Sequence, residues 1–100
     1  MSAPLRASGY AGDNEGEIMA AELTATESAR IILSIFYSRS VRSGQVVMAG
    51  AVNADFLKLG YGPENYKAGM DYAVEQGWIR EEPPVIRLTE VGYDAMEGLR

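Results

Sequence analysis

The stretch MDYAVEQGWI, Met70–Ile79, decides the fold because its periodicity changes at a single glycine. Before Gly77 the apolar side chains recur at helical spacing, and after it Trp78 and Ile79 begin an extended pattern. Glycine at such a point favours the left-handed conformation in which many helices end. The stretch therefore predicts a helix over 63–77 that is followed directly by a β-strand.

Two short strands and a last helix are expected after this stretch. The segments 78–80 and 85–88 have the composition of strands, and 81–84 (EEPP) between them is a turn because two prolines prevent further pairing. Thr89 followed by Glu90 is typical of a helix start. One candidate buried stripe of that helix consists of Val91, Ala95 and Leu99.

A helix-turn-helix pair is expected around the turn Gly60-Tyr61-Gly62. The second helix of the chain shows Val52, Phe56 and Leu59 at helical spacing and ends at Gly60. Pro63 suits the first position of the third helix, where its missing N–H costs nothing. The buried stripe predicted for the third helix consists of Tyr66, Met70, Ala73 and Val74.

The first helix is expected to begin at a capping box. Thr24 and Glu27 have the spacing at which a hydroxyl and a carboxylate satisfy the free amides of a helix start. Gly44 is expected to provide the left-handed stop after this helix. Residues 45–48 form either a small strand or the lead-in to the second helix. The apolar stripe of the first helix includes Ala29, Ile32, Leu33 and Phe36.

A second segment, RLTEVG (Arg87–Gly92), strengthens the assignment of a fold. It is similar to the Leu-Thr-Glu-x-Gly with which the second wing strand of winged helix-turn-helix proteins often leads into the next helix. Together with Met70–Ile79, it makes the chain over 24–98 resemble that superfamily, as in MarR-, PadR- and ArsR-like regulators. The resemblance implies a mainly α fold with a small β-hairpin: a three-helix core, a two-stranded wing and a short C-terminal helix.

The resemblance implies a transcription regulator whose partner is double-stranded DNA. It makes 63–77 the recognition helix in the major groove and 80–87 the wing on the neighbouring backbone or minor groove. Asn65 suits an adenine edge, and Lys67 suits a phosphate, although both are equally consistent with ordinary exposed residues. The candidate DNA-binding residues are Asn65, Lys67, Ala68 and Tyr72 on the helix, with Arg80 and Arg87 on the wing.

The charges of this surface favour a second interpretation. Over 60–82, Lys67 and Arg80 stand against five acidic residues, and no arginine lies on the helix to bind guanine. Glu81 and Glu82 at the wing would repel phosphates. The alternative is a winged-helix protein-protein interaction module without DNA binding, whose partner is another protein or a second copy of the chain.

The composition excludes most chemistry. The chain has 100 residues, a formal net charge of -5, and neither cysteine nor histidine. These absences exclude disulfides, Cys/His zinc sites, cysteine nucleophiles and Ser-His-Asp triads. No phosphate-binding loop is present either. We therefore expect no enzyme, no cofactor and no metal.

The organisation expected is a flexible acidic arm over 1–22 and one domain over 23–100. The arm is Gly-rich and polar. Regulators of this shape usually act as dimers, so a homodimer is expected, and 17–23 is a candidate dimer segment through Ile18, Met19 and Leu23. Apolar runs of about five residues are too short for a signal peptide or a membrane span, which favours a cytoplasmic protein.

Overall fold

Four helices and three short strands form the protein in this computed structural model, which describes residues 23–99. They are α1 (Ala25–Ser38), β1 (Val46–Met48), α2 (Ala49–Lys58), α3 (Pro63–Glu75), β2 (Ile79–Glu82), β3 (Val85–Leu88) and α4 (Glu90–Gly98). The mainly helical fold with a small antiparallel hairpin agrees with the sequence. The predicted arm 1–22, with all of the candidate dimer segment except Leu23, lies outside the described residues, as does Arg100.

The start of α1 confirms the capping box. Thr24 Oγ1 accepts a bond of 3.0 Å from the Glu27 N–H, and the Thr24 N–H donates to Glu27 Oε1 at 2.9 Å. The predicted stop at Gly44 is wrong, because α1 ends at Ser38 and Ser40 takes the left-handed conformation with a φ of 57°. Gly44 has a positive φ further on, where its N–H donates to the Leu88 carbonyl at 2.7 Å.

The sheet has the strand order β1-β3-β2, with both pairs antiparallel. Residues 45–48 thus resolve into a strand that runs directly into α2, so the sheet has one strand more than the predicted two. Val46 lies opposite Arg87, and Arg80 lies opposite Arg87 on the other side. Glu81 and Glu82 also differ from their prediction, because they belong to β2 and leave only Pro83–Pro84 in the turn.

The core lies between α1, α3 and the inner face of the sheet. Phe56 on α2 closes one side, with its ring centroid 5.5 Å from that of Tyr66 and 5.6 Å from that of Tyr61. In the stripes predicted for α2 and α3, two residues are exposed instead, Leu59 at the end of α2 and Val74 on α3. The fully buried side chains include Ile32, Leu33, Phe36, Val52, Phe56, Ile79, Ile86 and Leu88.

The last helix, α4, begins as predicted but packs on a different stripe. Thr89 Oγ1 accepts from the Gly92 N–H at 2.9 Å and caps the helix. Val91 and Leu99 are exposed, whereas Gly92 and Met96 are buried. Gly92 faces inward because this part of α4 lies close to the Trp78 carbonyl. A Cβ at position 92 would collide with that carbonyl. The helix is therefore rotated to place Gly92 inward.

Candidate nucleic-acid interface

The position of α3 is fixed by glycines at its start and in its middle. Gly60 takes a φ of 96° in the turn, Gly62 is the N-cap, and Pro63 occupies the first helical position, as predicted. Gly69 lies against Ser28, where α1 and α3 cross. Gly77 ends the helix with a φ of 77°, again as predicted. One face of α3 is thereby buried, and the opposite face is left to solvent.

The solvent face of α3 is acidic. Glu64, Asp71 and Glu75 are exposed on it, and Lys67 is the one cation of the helix. Lys67 Nζ lies 3.0 Å from Asp71 Oδ2, an i,i+4 ion pair between side chains that are 78% and 66% exposed. The predicted phosphate contact thus already has a carboxylate partner.

The other predicted helix residues lie on the flanks of this face. Asn65 and Ala68 are half-buried. Tyr72 differs from the expected outward position, because its ring is half-buried and packs edge-on against Trp78, with the ring centroids 5.6 Å apart. Since Trp78 follows the helix directly, this contact ties the end of α3 to the start of β2. Trp78 is a packing residue, as expected.

The two predicted wing arginines converge on one carboxylate. Arg80 and Arg87 lie directly opposite each other in the sheet, and both bind Glu82. Arg87 is bidentate, with Nε 2.8 Å from Oε2 and Nη2 2.9 Å from Oε1 of Glu82, while Arg80 Nη2 lies 3.2 Å from Oε2. The carboxylate thereby offsets the repulsion of two like charges placed across neighbouring strands.

These contacts change the acidity of Glu82. Hydrogen bonds from Arg87 first and Arg80 second lower the pKa of the Glu82 carboxyl from 4.5 to about 2, and partial desolvation opposes them weakly. The same bonds raise the pKa of the Arg87 guanidinium. Glu82 therefore stays ionised well into acid, and its charge remains fixed between the two arginines.

Arg87 also has a structural contact outside the hairpin. Its Nη1 donates to the Gly44 carbonyl at 2.6 Å, which ties β3 to the loop before β1. The hairpin itself is blunt, because the Ala49 N–H at the start of α2 donates to the Pro84 carbonyl at 3.0 Å. The turn at Pro83–Pro84 therefore lies level with the end of β1, and it does not project beyond the sheet.

The outer face of the sheet has an apolar part that was not predicted from the sequence. Val46 and Met48 are 43% and 54% exposed there, next to Arg87 and Val85 of β3. Their alternation with the inward-facing Val47 is the one signal in the sequence, and three residues are too few to assign a face. The face combines apolar side chains with an Arg-Glu-Arg cluster in which two arginines share one carboxylate.

The structure thus joins Arg80 and Arg87 through Glu82 and pairs Lys67 with Asp71, so each of the three cations is already bound to a carboxylate. Within residues 23–99, no group of three or more acidic side chains is placed to hold a metal ion, and no helix is long and apolar enough to cross a membrane. No family model, no curated protein and no solved structure matches the chain.

Proposed function

We propose that residues 24–98 form a winged helix-turn-helix domain that acts as a protein-protein interaction module. The order α1-β1-α2-α3-β2-β3-α4, with β1 and β2 on either side of β3, supports the fold assignment. A fold of this kind serves many activities, so the function has to be argued from the surface.

One observation carries the proposal. Each cation on the surface of α3 and the hairpin is bound to a carboxylate of that surface: Lys67 to Asp71, and Arg80 and Arg87 to Glu82. Over 60–88, these three cations stand against five carboxylates. DNA affinity comes largely from cations that neutralise phosphates, so this surface disfavours a duplex.

The shape and polarity of the sheet support a protein partner. A blunt turn of two prolines offers no projecting loop to follow a groove of DNA. Val46 and Met48 beside the Arg-Glu-Arg cluster instead resemble the apolar centre and polar rim of protein interfaces. The surplus of carboxylates on α3 complements a basic protein surface better than a phosphate backbone.

The test is fluorescence anisotropy of a labelled random-sequence duplex, titrated with the protein at low and near-physiological salt. We expect no salt-dependent binding by the wild type. The double variant Asp71→Asn/Glu82→Gln, which frees all three cations, should gain binding that falls as salt rises. Glu90→Gln/Asp94→Asn on α4 is the matched control, since it changes the net charge equally and should gain less. Steep, salt-sensitive binding by the wild type would overturn the proposal.

A DNA-binding regulator is the second candidate, and the exposure of the ion pairs favours it. Pairs between exposed side chains are worth about 0–1 kcal/mol, so Lys67 in particular could exchange Asp71 for a phosphate at little cost. In that case the wild type binds the duplex. Arg80→Ala and Arg87→Ala should then each reduce, by about one unit, the slope of the logarithm of the binding constant against the logarithm of the salt concentration. Light scattering on the same samples gives the oligomeric state and tests the predicted homodimer.

A further inference from the structure

The edge of β1 that faces away from β3 has main-chain groups without a partner. At the start of the strand the Gln45 carbonyl accepts a bond from the Leu88 N–H at 3.0 Å, so the main chain of Gln45 points towards β3. Because these directions alternate along an antiparallel strand, Val47 also points towards β3, whereas Val46 and Met48 point away from it. No described residue forms a hydrogen bond with the N–H or carbonyl of Val46, or with the N–H of Met48.

This edge is open to solvent and lacks the charges that protect the other edge of the sheet. Val46 and Met48 are exposed, and a shallow concavity beside the strand extends to Arg39 at the end of α1. The sequence over 44–48 (GQVVM) contains neither a charged residue nor proline. By contrast, β2 at the opposite edge carries one arginine and two glutamates. Charged residues and proline are common protection against pairing at an edge, so β1 is the edge suited to another strand.

A second copy of the chain offers a strand with the matching pattern. In an antiparallel pair about a two-fold axis at Val47, Val46 of each copy lies opposite Met48 of the other. The N–H and carbonyl of Val46 then both bond to Met48 of the second copy. The Met48 carbonyl also begins α2, but a carbonyl oxygen can accept two bonds. The pairing therefore satisfies all the free main-chain groups of the edge.

The same pairing joins two small apolar patches into one strip. On the outer face of the sheet, Val46 of each copy lies beside Met48 of the other, and Val85 adjoins each Met48. An Arg-Glu-Arg cluster bounds the strip on each side, as polar residues surround the apolar centre of many interfaces. Arg87 of the two copies lie three strand spacings apart, about 14 Å. Since each also keeps its bond to Glu82, their repulsion across the axis is weak.

We propose that β1 pairs antiparallel with β1 of a second copy, so that two three-stranded sheets become one continuous sheet. The inference deepens the proposed function, on which it rests, by naming a second copy as the protein partner of the sheet. Only three residues of each copy form the paired strands, so we expect a small contact and a reversible dimer that forms at high concentration. No residue of α3 takes part in the pairing.

Hydrogen exchange measured by NMR tests the pairing in the full-length chain. The amide protons of Val46 and Met48 should exchange rapidly in a dilute sample and severalfold more slowly in a concentrated one, because pairing protects them. The Glu81 amide, which points away from β3 at the other edge, is the control and should not change. Light scattering over the same dilution series should show the mass rising from one chain to two.

Val46→Glu provides the second measurement, because it places a carboxylate in the apolar strip opposite Met48 of the second copy. It should raise the concentration needed for dimerisation on the order of tenfold or more. Val91→Glu is the matched control, since it makes the same change at an exposed valine of α4 and should leave dimerisation unchanged. The unfolding temperature of both variants is the folding control, and the exchange of the wild-type amides tests the proposal without any substitution.

Three results would overturn the proposal. The first is a protein that stays monomeric throughout the dilution series. The second is protection of the Val46 amide that does not depend on concentration, because another part of the same chain would then cover the edge. The third is a dimer that Val46→Glu and Val91→Glu affect equally. A wild type that neither dimerises nor binds the DNA duplex would overturn this inference alone, whereas salt-sensitive duplex binding would overturn the proposed function.

Discussion

A Cβ added to Gly69 would lie 2.7 Å from the Cβ of Ser28, so α1 and α3 cross at the point where Gly69 packs against Ser28. The same added atom would meet the Ser28 carbonyl carbon at 2.8 Å and the Ala29 nitrogen at 3.0 Å, both backbone atoms. Contacts this short involve the main chain of α1, which cannot move aside as a flexible side chain could. The crossing determines how α3 presents its acidic face.

Gly69→Ala should destabilise the domain because the new methyl group forces the two helices apart. Overpacking of this kind costs about 1–3 kcal/mol in the free energy of unfolding. Gly50→Ala on α2 is the control, since a Cβ there meets nothing within 4 Å and should gain up to about 1 kcal/mol. Urea unfolding measures both. Equal changes in the free energy of unfolding for Gly69→Ala and Gly50→Ala would contradict the close crossing of α1 and α3.

Ser28→Ala should have the opposite effect at the same crossing. Ser28 is fully buried, and its Oγ has no hydrogen-bond partner within residues 23–99. Removing an unsatisfied buried hydroxyl, together with the higher helix propensity of alanine, should stabilise the domain by about 1 kcal/mol. The same urea titration tests it, with Ser34→Ala on the exposed face of α1 as the control, in which the gain in helix propensity is offset by the loss of the bond from Ser34 Oγ to the Ile31 carbonyl. A loss of stability would mean that the Ser28 hydroxyl has a partner.

The sequence predicted the start and end of most elements because those depend on neighbouring residues. The Thr24–Glu27 box, Pro63 at the start of α3 and Gly77 at its end are all present. The helix α4 shows the limit of such reasoning. The spacing of its apolar residues is equally compatible with a buried stripe through Val91. The observed stripe through Gly92 and Met96 depends on the close approach of Gly92 to the Trp78 carbonyl, fourteen positions away in the sequence.

The candidate site was harder to predict because ion pairs depend on distances across the fold. The sequence placed Arg80 and Arg87 on the hairpin but assigned Glu82 to its tip, where nothing would bind it. The longer strand β2 instead brings Glu82 to the face of the arginines. Similarly, nothing in the sequence indicates that Arg39 binds Asp55 at 2.7 Å, which lowers the pKa of the Asp55 carboxyl.

Thr89→Ala should cost more stability than the removal of an ordinary helix cap. Thr89 Oγ1 accepts from the Gly92 N–H, and it also lies 2.9 Å from the Trp78 carbonyl in the turn between α3 and β2. We expect a loss of about 1–2 kcal/mol, against about 1 kcal/mol for Thr24→Ala, whose hydroxyl caps α1 alone. Thr89→Ser keeps the hydroxyl and should recover most of the loss. Thermal unfolding of the three variants is the measurement.

Arg87→Ala and Arg80→Ala should differ in stability although the two arginines face each other. Arg87 makes a bidentate bond to Glu82 and a bond to the Gly44 carbonyl, whereas the more exposed Arg80 makes only two longer bonds, both to Oε2 of Glu82. We therefore expect the unfolding temperature to fall clearly for Arg87→Ala and very little for Arg80→Ala. Equal changes would show that Arg87 does not join β3 to the loop before β1.

Glu82 should contribute to the loss of stability in acid. Its pKa is lowered from 4.5 to about 2 in the folded protein, so between these values the unfolded chain binds a proton that the folded chain does not. The stabilisation by the Glu82 charge is therefore complete above about pH 5 and lost as the pH falls towards 2. Glu82→Gln should lower the stability at neutral pH and flatten this acid decline in urea midpoints measured between pH 6 and 2. Glu75→Gln is the charge-matched control, because the Glu75 carboxylate forms no salt bridge with any residue from 23 to 99. An identical acid decline in wild type and Glu82→Gln would rule out the Arg-Glu-Arg cluster as its source.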